Sequence, residues 1–383
     1  MFAGPLHSIP SHKGAAVEVW VNEVSQRVIT YEIHVASIGS NYLPNSEFSN
    51  GTYYHRFQFS RLHKKAFRKY LGWDIYSYNR HIINIIKKVQ PDIVHIHNYS
   101  NAGGVIDWIR LRRSETKIIY HMHNKTEKNN IRENISKADL FVTCSQFLLD
   151  DYAELLNDKS CAQVIYNGVN IEEFSWACTK RSMIRNRLTP DKVNIAFFGR
   201  ISREKGLEKV VEIAELFKND DRFMFYCIGQ IGKEGGAYKY YQQLKRDVEN
   251  KGLRNIKFLD CVPPQKIHLA YQLADLLIVP SRFEEPFSMV AIEAMASKIP
   301  IVCANRGGMK EYLEDEINAI VIDDYDNFSS IAKDQVLNLF DEMKPEKKVK
   351  LIDNAYSIVS SKFDWLKISS HTETTYDQLI GKA

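Results

Sequence analysis

Residues 276–296 read LLIVPSRFEEPFSMVAIEAMA. The apolar run Leu276 to Val279 fits a short buried strand, a proline-bounded loop follows it, and a helix starts around Ser288. Glu285 stands ahead of that helix and Glu293 more than a turn inside it. An acid on the apolar face AIEAMA is expensive to bury without a partner. Sugar and ribose hydroxyls would partner two such carboxylates, and free helix amides at Ser288 to Val290 suit phosphate oxygens. The plainer alternative is that Glu284 or Glu285 complements the helix dipole and Glu293 faces solvent.

The same strand, loop and helix rhythm runs outward in both directions. Asn194–Phe198, Phe223–Ile228, Ile256–Leu259, Ile301–Ala304 and Ala319–Ile322 are expected strands of the second half. Tyr31–Ser37, Ile93–Ile96, Lys117–His121, Leu140–Cys144 and Ala162–Tyr166 are those of the first, with helices at Ala15–Arg27, Asp74–Val89 and Ser145–Leu156. Short apolar runs alternating with longer amphipathic ones predict parallel sheets wrapped by helices. Two doubly wound domains follow, because one core seldom grows past about 250 to 300 residues and the chain has 383. The boundary falls near the turn dipeptide Asn167-Gly168. Ligands of such sheets bind where loops leave the strands' carboxyl ends, so two domains predict a cleft between them.

Immediately after Phe198 comes GRISREKG, residues 199–206. Gly199 and Gly206 permit close backbone approach, and Arg200 and Lys205 can meet a diphosphate beside a helix expected from Leu207. Read alone, the segment could also be a turn with solvated charges. It is not a Walker loop. An Asp324-Tyr325-Asp326 triplet could hold a metal, but its place after a late strand favours a loop and helix cap.

Charge and composition narrow the classes. Net charge is +4, with 44% hydrophobic residues; Lys and Arg exceed Asp and Glu by 20 to 15 in residues 1–168, leaving −1 in the rest. The excess concentrates in Arg56, Arg61, Lys64, Lys65, Arg68 and Lys69, among apolar residues at helical spacing, which predicts a basic amphipathic helix. Its partner would be solvent, an anionic acceptor or an anionic membrane; nucleic acid is disfavoured, since no binding motif accompanies the charge. No signal or membrane-spanning run is visible, and the six scattered cysteines read as reduced thiols, so a cytoplasmic protein is expected, peripheral at most to the membrane.

GRISREKG, VPSRFEEPFSMVAIEAMA with seven residues between Glu285 and Glu293, and Gly307-Gly308-Met309-Lys310-Glu311 together resemble the family 4 retaining glycosyltransferases of GT-B fold. IPSHKGAAVE (9–18), HMHN (121–124) and CSQF (144–147) are similar to segments of the bacterial lipopolysaccharide-core N-acetylglucosaminyltransferases. The resemblance implies two Rossmann-like domains facing a cleft: an acceptor domain at 1–168, a donor domain at 169–360, and a helix at 361–383 returning to the first. It implies transfer from a UDP-sugar donor, N-acetylglucosamine or else glucose or galactose, to a glycan or glycolipid acceptor, with no cofactor and no metal. Non-catalytic nucleotide-sugar binding is the alternative from another class. By the same resemblance Arg200 and Lys205 neutralise the diphosphate, Glu293 holds the ribose, and Glu285 contacts donor-sugar hydroxyls. Gly199 and Phe287, Ser288, Met289 and Val290 lie under the sugar and phosphates, and Val262 lies in the base-contacting turn. Gly14 with Ala15 forms the first loop, where the family usually has two glycines. His123 faces the sugar, with His121 as the register alternative, and Asn167-Gly168-Val169-Asn170 is the interdomain hinge.

Overall fold

In the computed structural model, which describes residues 1–11, 15–58, 73–185, 191–231 and 235–382, the chain forms two compact units. The first comprises Met1–Asn167 and Trp365–Ala383, the second Gly168–Asp364.

The first unit carries β1 (Phe2–Ala3), β2 (Ile33–Ile38), β3 (Ser46–Ser49), β4 (Thr52–Phe57), β5 (Ile93–His97), β6 (Lys117–Met122), β7 (Leu140–Thr143) and β8 (Ala162–Val164). They lie in the order β3-β4-β2-β1-β5-β6-β7-β8, and every pairing is parallel except β3 with β4. That antiparallel pair was not expected from the sequence. It closes through Asn50 and Gly51, both at positive φ (48° and 77°), as the tight turn of a two-residue hairpin requires.

The hairpin corrects one expectation. Arg56 is not on a basic helix but on β4, with its side chain 1% exposed. Its Nε donates to the Ile9 carbonyl (2.8 Å), and its Nη1 to the Pro44 carbonyl (2.9 Å) and Glu47 Oε2 (2.5 Å). A guanidinium so enclosed is consumed by the fold and offers nothing to an anionic surface. Arg61, Lys64, Lys65, Arg68 and Lys69, which completed the expected helix, lie outside the described residues. No described helix is long and apolar enough to cross a membrane.

The helix Ala16–Ser25 packs Trp20, Val21 and Val24 onto this sheet, and the last helix, Trp365–Ile380, joins the same core through Trp365, Ile368 and Tyr376. Polar ties hold that last helix too. Glu373 accepts from the Ile29 and Thr30 amides (2.8 and 3.0 Å), and the Tyr31 hydroxyl donates to Asp377 (2.5 Å).

In the second unit every expected strand forms within a residue of its predicted bounds: β9 (Val193–Phe198), β10 (Phe223–Ile228), β11 (Ile256–Leu259), β12 (Leu276–Val279), β13 (Ile301–Ala304) and β14 (Ile320–Ile322). All pair in parallel, in the order β11-β10-β9-β12-β13-β14. β10, β12 and β13 are buried at every position, so both sheet faces are covered and the strands read as unbroken apolar runs. The sequence of connections reverses direction between β9 and β12. This is the point where open parallel sheets leave a crevice for ligands.

Candidate active site

The two loops leaving β9 and β12 are the two that carry the charged motifs. They are stitched together: the Arg282 amide donates to the Glu204 carbonyl (2.9 Å), and a Cβ on Gly206 would stand 1.8 Å from the Pro280 carbonyl oxygen. Gly206 also has φ of 67°, so both its backbone shape and its surroundings exclude a side chain. It precedes the helix Leu207–Leu216, as expected, and Gly199 ends β9 with its amide on the Ile228 carbonyl (3.1 Å).

Lys205 and Glu285 meet. Nζ of Lys205 lies 2.6 Å from Oε1 of Glu285, whose side chain is 4% exposed, and the Ser281 hydroxyl donates to the same oxygen at 2.5 Å. Lys205 also rests over the Phe283 ring, 4.9 Å from its centroid. Arg200 contrasts with it, being 68% exposed and 4.0 Å from Glu204. Glu284 turns the other way, accepting from the Gly307 amide (2.5 Å) and facing Arg306 Nη1 (3.4 Å). The Gly308 amide in turn donates to the Glu285 carbonyl (2.7 Å). The dipole-only alternative for these two acids therefore fails, since each has a definite partner.

The helix Met289–Ala296 begins one residue after Ser288, whose hydroxyl is buried and makes no capping bond. Its first residues, Met289 and Val290, are partly exposed, while Phe287 is buried against Tyr312 and Phe363. Glu293, partly buried, accepts from the Tyr271 hydroxyl at 2.7 Å. Burial raises its carboxyl to about 7 despite that bond, so near neutrality the group is poised between its two forms. Tyr271 is fully buried and stacks on Phe198, centroids 4.1 Å apart, so the hydroxyl is held rigidly. Ser281 and Tyr271 were not assigned from sequence. Ser281 lies inside the quoted motif, whereas nothing around Tyr271 marks it.

A topological switch point that carries a cation, the start of a helix and two carboxylates suits a phosphorylated sugar donor. Comparison with known proteins gives the family. Residues 180–358 match the family of glycosyl transferases group 1, and residues 17–173 match glycosyltransferase family 4. The chain is a glycosyltransferase of GT-B type. The lipopolysaccharide 1,2-N-acetylglucosaminetransferase of Salmonella typhimurium is 26% identical over 96% of this chain and 95% of its own length. In fold this chain is similar to sucrose-phosphate synthase from Thermosynechococcus elongatus (TM-score 0.77, 17% identity, covering 100% of this chain and 99% of that one). It is likewise similar to Anabaena Alr3699/HepE in complex with UDP and glucose (TM-score 0.74, 19% identity, 98% of both chains).

The glycosyltransferase's first unit places the remaining candidates. Gly14 lies outside the described residues, and Ala15 directly precedes the helix Ala16–Ser25. His121, the register alternative, is fully buried, with Nδ1 3.3 Å from His95 Nε2. His123 is 3% exposed, with Nδ1 3.3 Å from Asn167 Oδ1 and Nε2 3.2 Å from His97 Nδ1. Burial lowers it to about 4, so it is neutral. Parallel register sets His97 beside His121, and with His95 their nitrogens lie within 4.8 Å of one another, the one group among the described residues spaced for a metal ion. Trp20 covers all four rings at 4.8 to 5.8 Å, so aromatic packing fills that face.

In the second unit Val262 lies partly exposed in the loop after β11. Asp324 turns onto its own loop, accepting from the Asn327 amide (3.1 Å) and side chain (2.8 Å) just before the helix Phe328–Leu337. Asn170 caps the helix Ile171–Cys178 by accepting from the Glu173 amide (3.2 Å), and the unit boundary falls between Asn167 and Gly168.

Proposed function

We propose that the enzyme transfers a sugar, N-acetylglucosamine, from UDP-N-acetylglucosamine to a lipopolysaccharide-core or related glycan, with retention and without a metal. The observation that carries the reading is the Lys205–Glu285 pair at the switch point of the second sheet, next to the start of the helix Met289–Ala296. The Salmonella relative supports the choice of sugar and acceptor.

Departure of the diphosphate requires its growing charge to be stabilised. Arg200, Lys205 and the amides of Met289 and Val290 supply that stabilisation, mostly in the transition state. Glu293 accepts from the ribose hydroxyls, Glu285 from hydroxyls of the sugar. The acceptor attacks from the face the diphosphate leaves, and a departing phosphate oxygen takes its proton. Glu285 acts as an orienting acceptor in this scheme, not as a covalent nucleophile.

The test is UDP release with a panel of UDP-sugars and truncated core acceptors, in chelator, with the anomeric configuration of the product read by NMR. Acceptor-dependent release from UDP-N-acetylglucosamine and an α-linked product are expected. Exclusive use of another nucleotide sugar, an inverted product or a strict manganese requirement would each overturn the corresponding part.

A further inference from the structure

Lys205 and Glu285 were expected to serve different parts of the donor, one the diphosphate and the other the sugar, yet they are bonded to each other at 2.6 Å. While that pair stays closed, each group spends its strongest contact on the other. We propose that donor binding is a partner exchange: the diphosphate takes Lys205 from Glu285, and sugar hydroxyls replace the ammonium at the carboxylate. This rests on the donor reading given above and adds a selectivity to it.

The selectivity follows from burial. A carboxylate that is 4% exposed is stable because a cation and a hydroxyl satisfy it. A nucleoside diphosphate without a sugar withdraws the cation and returns nothing, leaving only Ser281 on Glu285. A nucleotide sugar withdraws the cation and supplies hydroxyl donors in its place. The crevice thereby favours the intact donor over the spent diphosphate, and the ion pair re-forms as UDP departs. Ser281 is a positioning residue here, since it touches Glu285 and sets how far the carboxylate depends on Lys205.

Opposite signs at two neighbouring residues test the exchange. Isothermal titration at fixed pH compares UDP with UDP-N-acetylglucosamine for the wild type, Glu285→Gln, Ser281→Ala, Lys205→Gln and the Lys205→Gln/Glu285→Gln pair. Glu285→Gln frees Lys205 and should tighten UDP by about tenfold, less than the scale of a fully buried pair because Lys205 is 20% exposed, while the nucleotide sugar, losing its own contact, gains little. Ser281→Ala makes the carboxylate lean harder on Lys205 and should weaken UDP several-fold. In the Lys205→Gln background, Glu285→Gln should no longer tighten UDP. General loosening of the loop would move both single variants the same way, so a shared sign overturns the exchange. So does unaltered UDP affinity in Glu285→Gln. Where that variant fails to fold, unaltered or tighter UDP binding by Ser281→Ala has the same force. A wild type that binds neither ligand overturns the donor reading and the exchange together, whereas normal wild-type binding with unresponsive variants overturns the exchange alone.

Discussion

If Glu293 holds the donor ribose as proposed, donor affinity should depend on pH in a calculable way. Burial lifts its carboxyl from 4.5 to about 7. At about 1.4 kcal/mol per tenfold change in proton affinity, this corresponds to roughly 3 kcal/mol favouring the protonated form. In the unliganded protein the native state keeps a proton that the unfolded chain has released. Its contribution to stability is therefore full below 4.5 and declines as pH rises towards about 7. Binding as proposed should reverse the preference, because ribose hydroxyls would donate to the ionised carboxylate. Only about one molecule in ten is ionised at about pH 6 and about nine in ten at about pH 8, so the Kd should rise roughly tenfold on going from the higher pH to the lower. UDP-N-acetylglucosamine suits the measurement, because it has no phosphate monoester titrating near pH 6. Titration calorimetry in buffers of different ionisation enthalpy should also detect about half a proton released near neutrality. Glu293→Gln should bind more weakly and lose the slope. A flat profile in the wild type, or a slope surviving in the Gln variant, would refute the placement of Glu293 at the ribose.

Arg200→Ala and Lys205→Ala should each lower turnover by about 10²-fold, the scale of losing one charge stabiliser, as measured by UDP release at saturating donor; near-wild-type rates in both would remove the diphosphate assignment. Gly307→Ala should be among the more damaging glycine substitutions. Its φ is 54° and the new Cβ would stand 2.2 Å from the Glu285 carbonyl oxygen, so thermal unfolding should show a loss of more than about 1 kcal/mol together with reduced turnover. Tyr271→Phe leaves the Glu293 carboxyl without its hydroxyl donor, raising its pKa further, and the pH profile of donor affinity should move to higher pH. An unmoved profile would count against that link.

The second sheet was legible because its strands are covered on both faces and must be continuously apolar, which is a local signal. The β3–β4 hairpin was missed although its turn carries the Asn-Gly dipeptide at 50–51. The flanking SEFS and TYYHRF alternate burial on a half-exposed edge and do not read as apolar runs. Arg56 shows why a charge run misleads. Its three acceptors come from Ile9, Pro44 and Glu47, segments apart in sequence, and no window around residue 56 contains the first of them. The same holds at the site. Motif spacing found Lys205 and Glu285 separately, but a contact across 80 positions is a property of β9 lying beside β12. The surroundings of His121 were equally hidden from the sequence: the parallel register sets it beside His97, and its ring packs against Trp20.

The last helix has a consequence for the order of assembly during synthesis. The ribosome delivers Gly168–Asp364 as one uninterrupted stretch, so the second unit has its whole sequence once Asp364 has emerged. The first unit is begun before the second and finished after it, for Trp365, Ile368 and Tyr376 belong to its core and are translated only once the second unit has been made. Domains usually fold from the N-terminus as they are made; here the N-terminal sheet must wait, with the surface destined for Trp365–Ile380 uncovered while roughly half of the protein is still being built. A premature stop near residue 364 would leave the second unit intact in sequence and strip the first of part of its core.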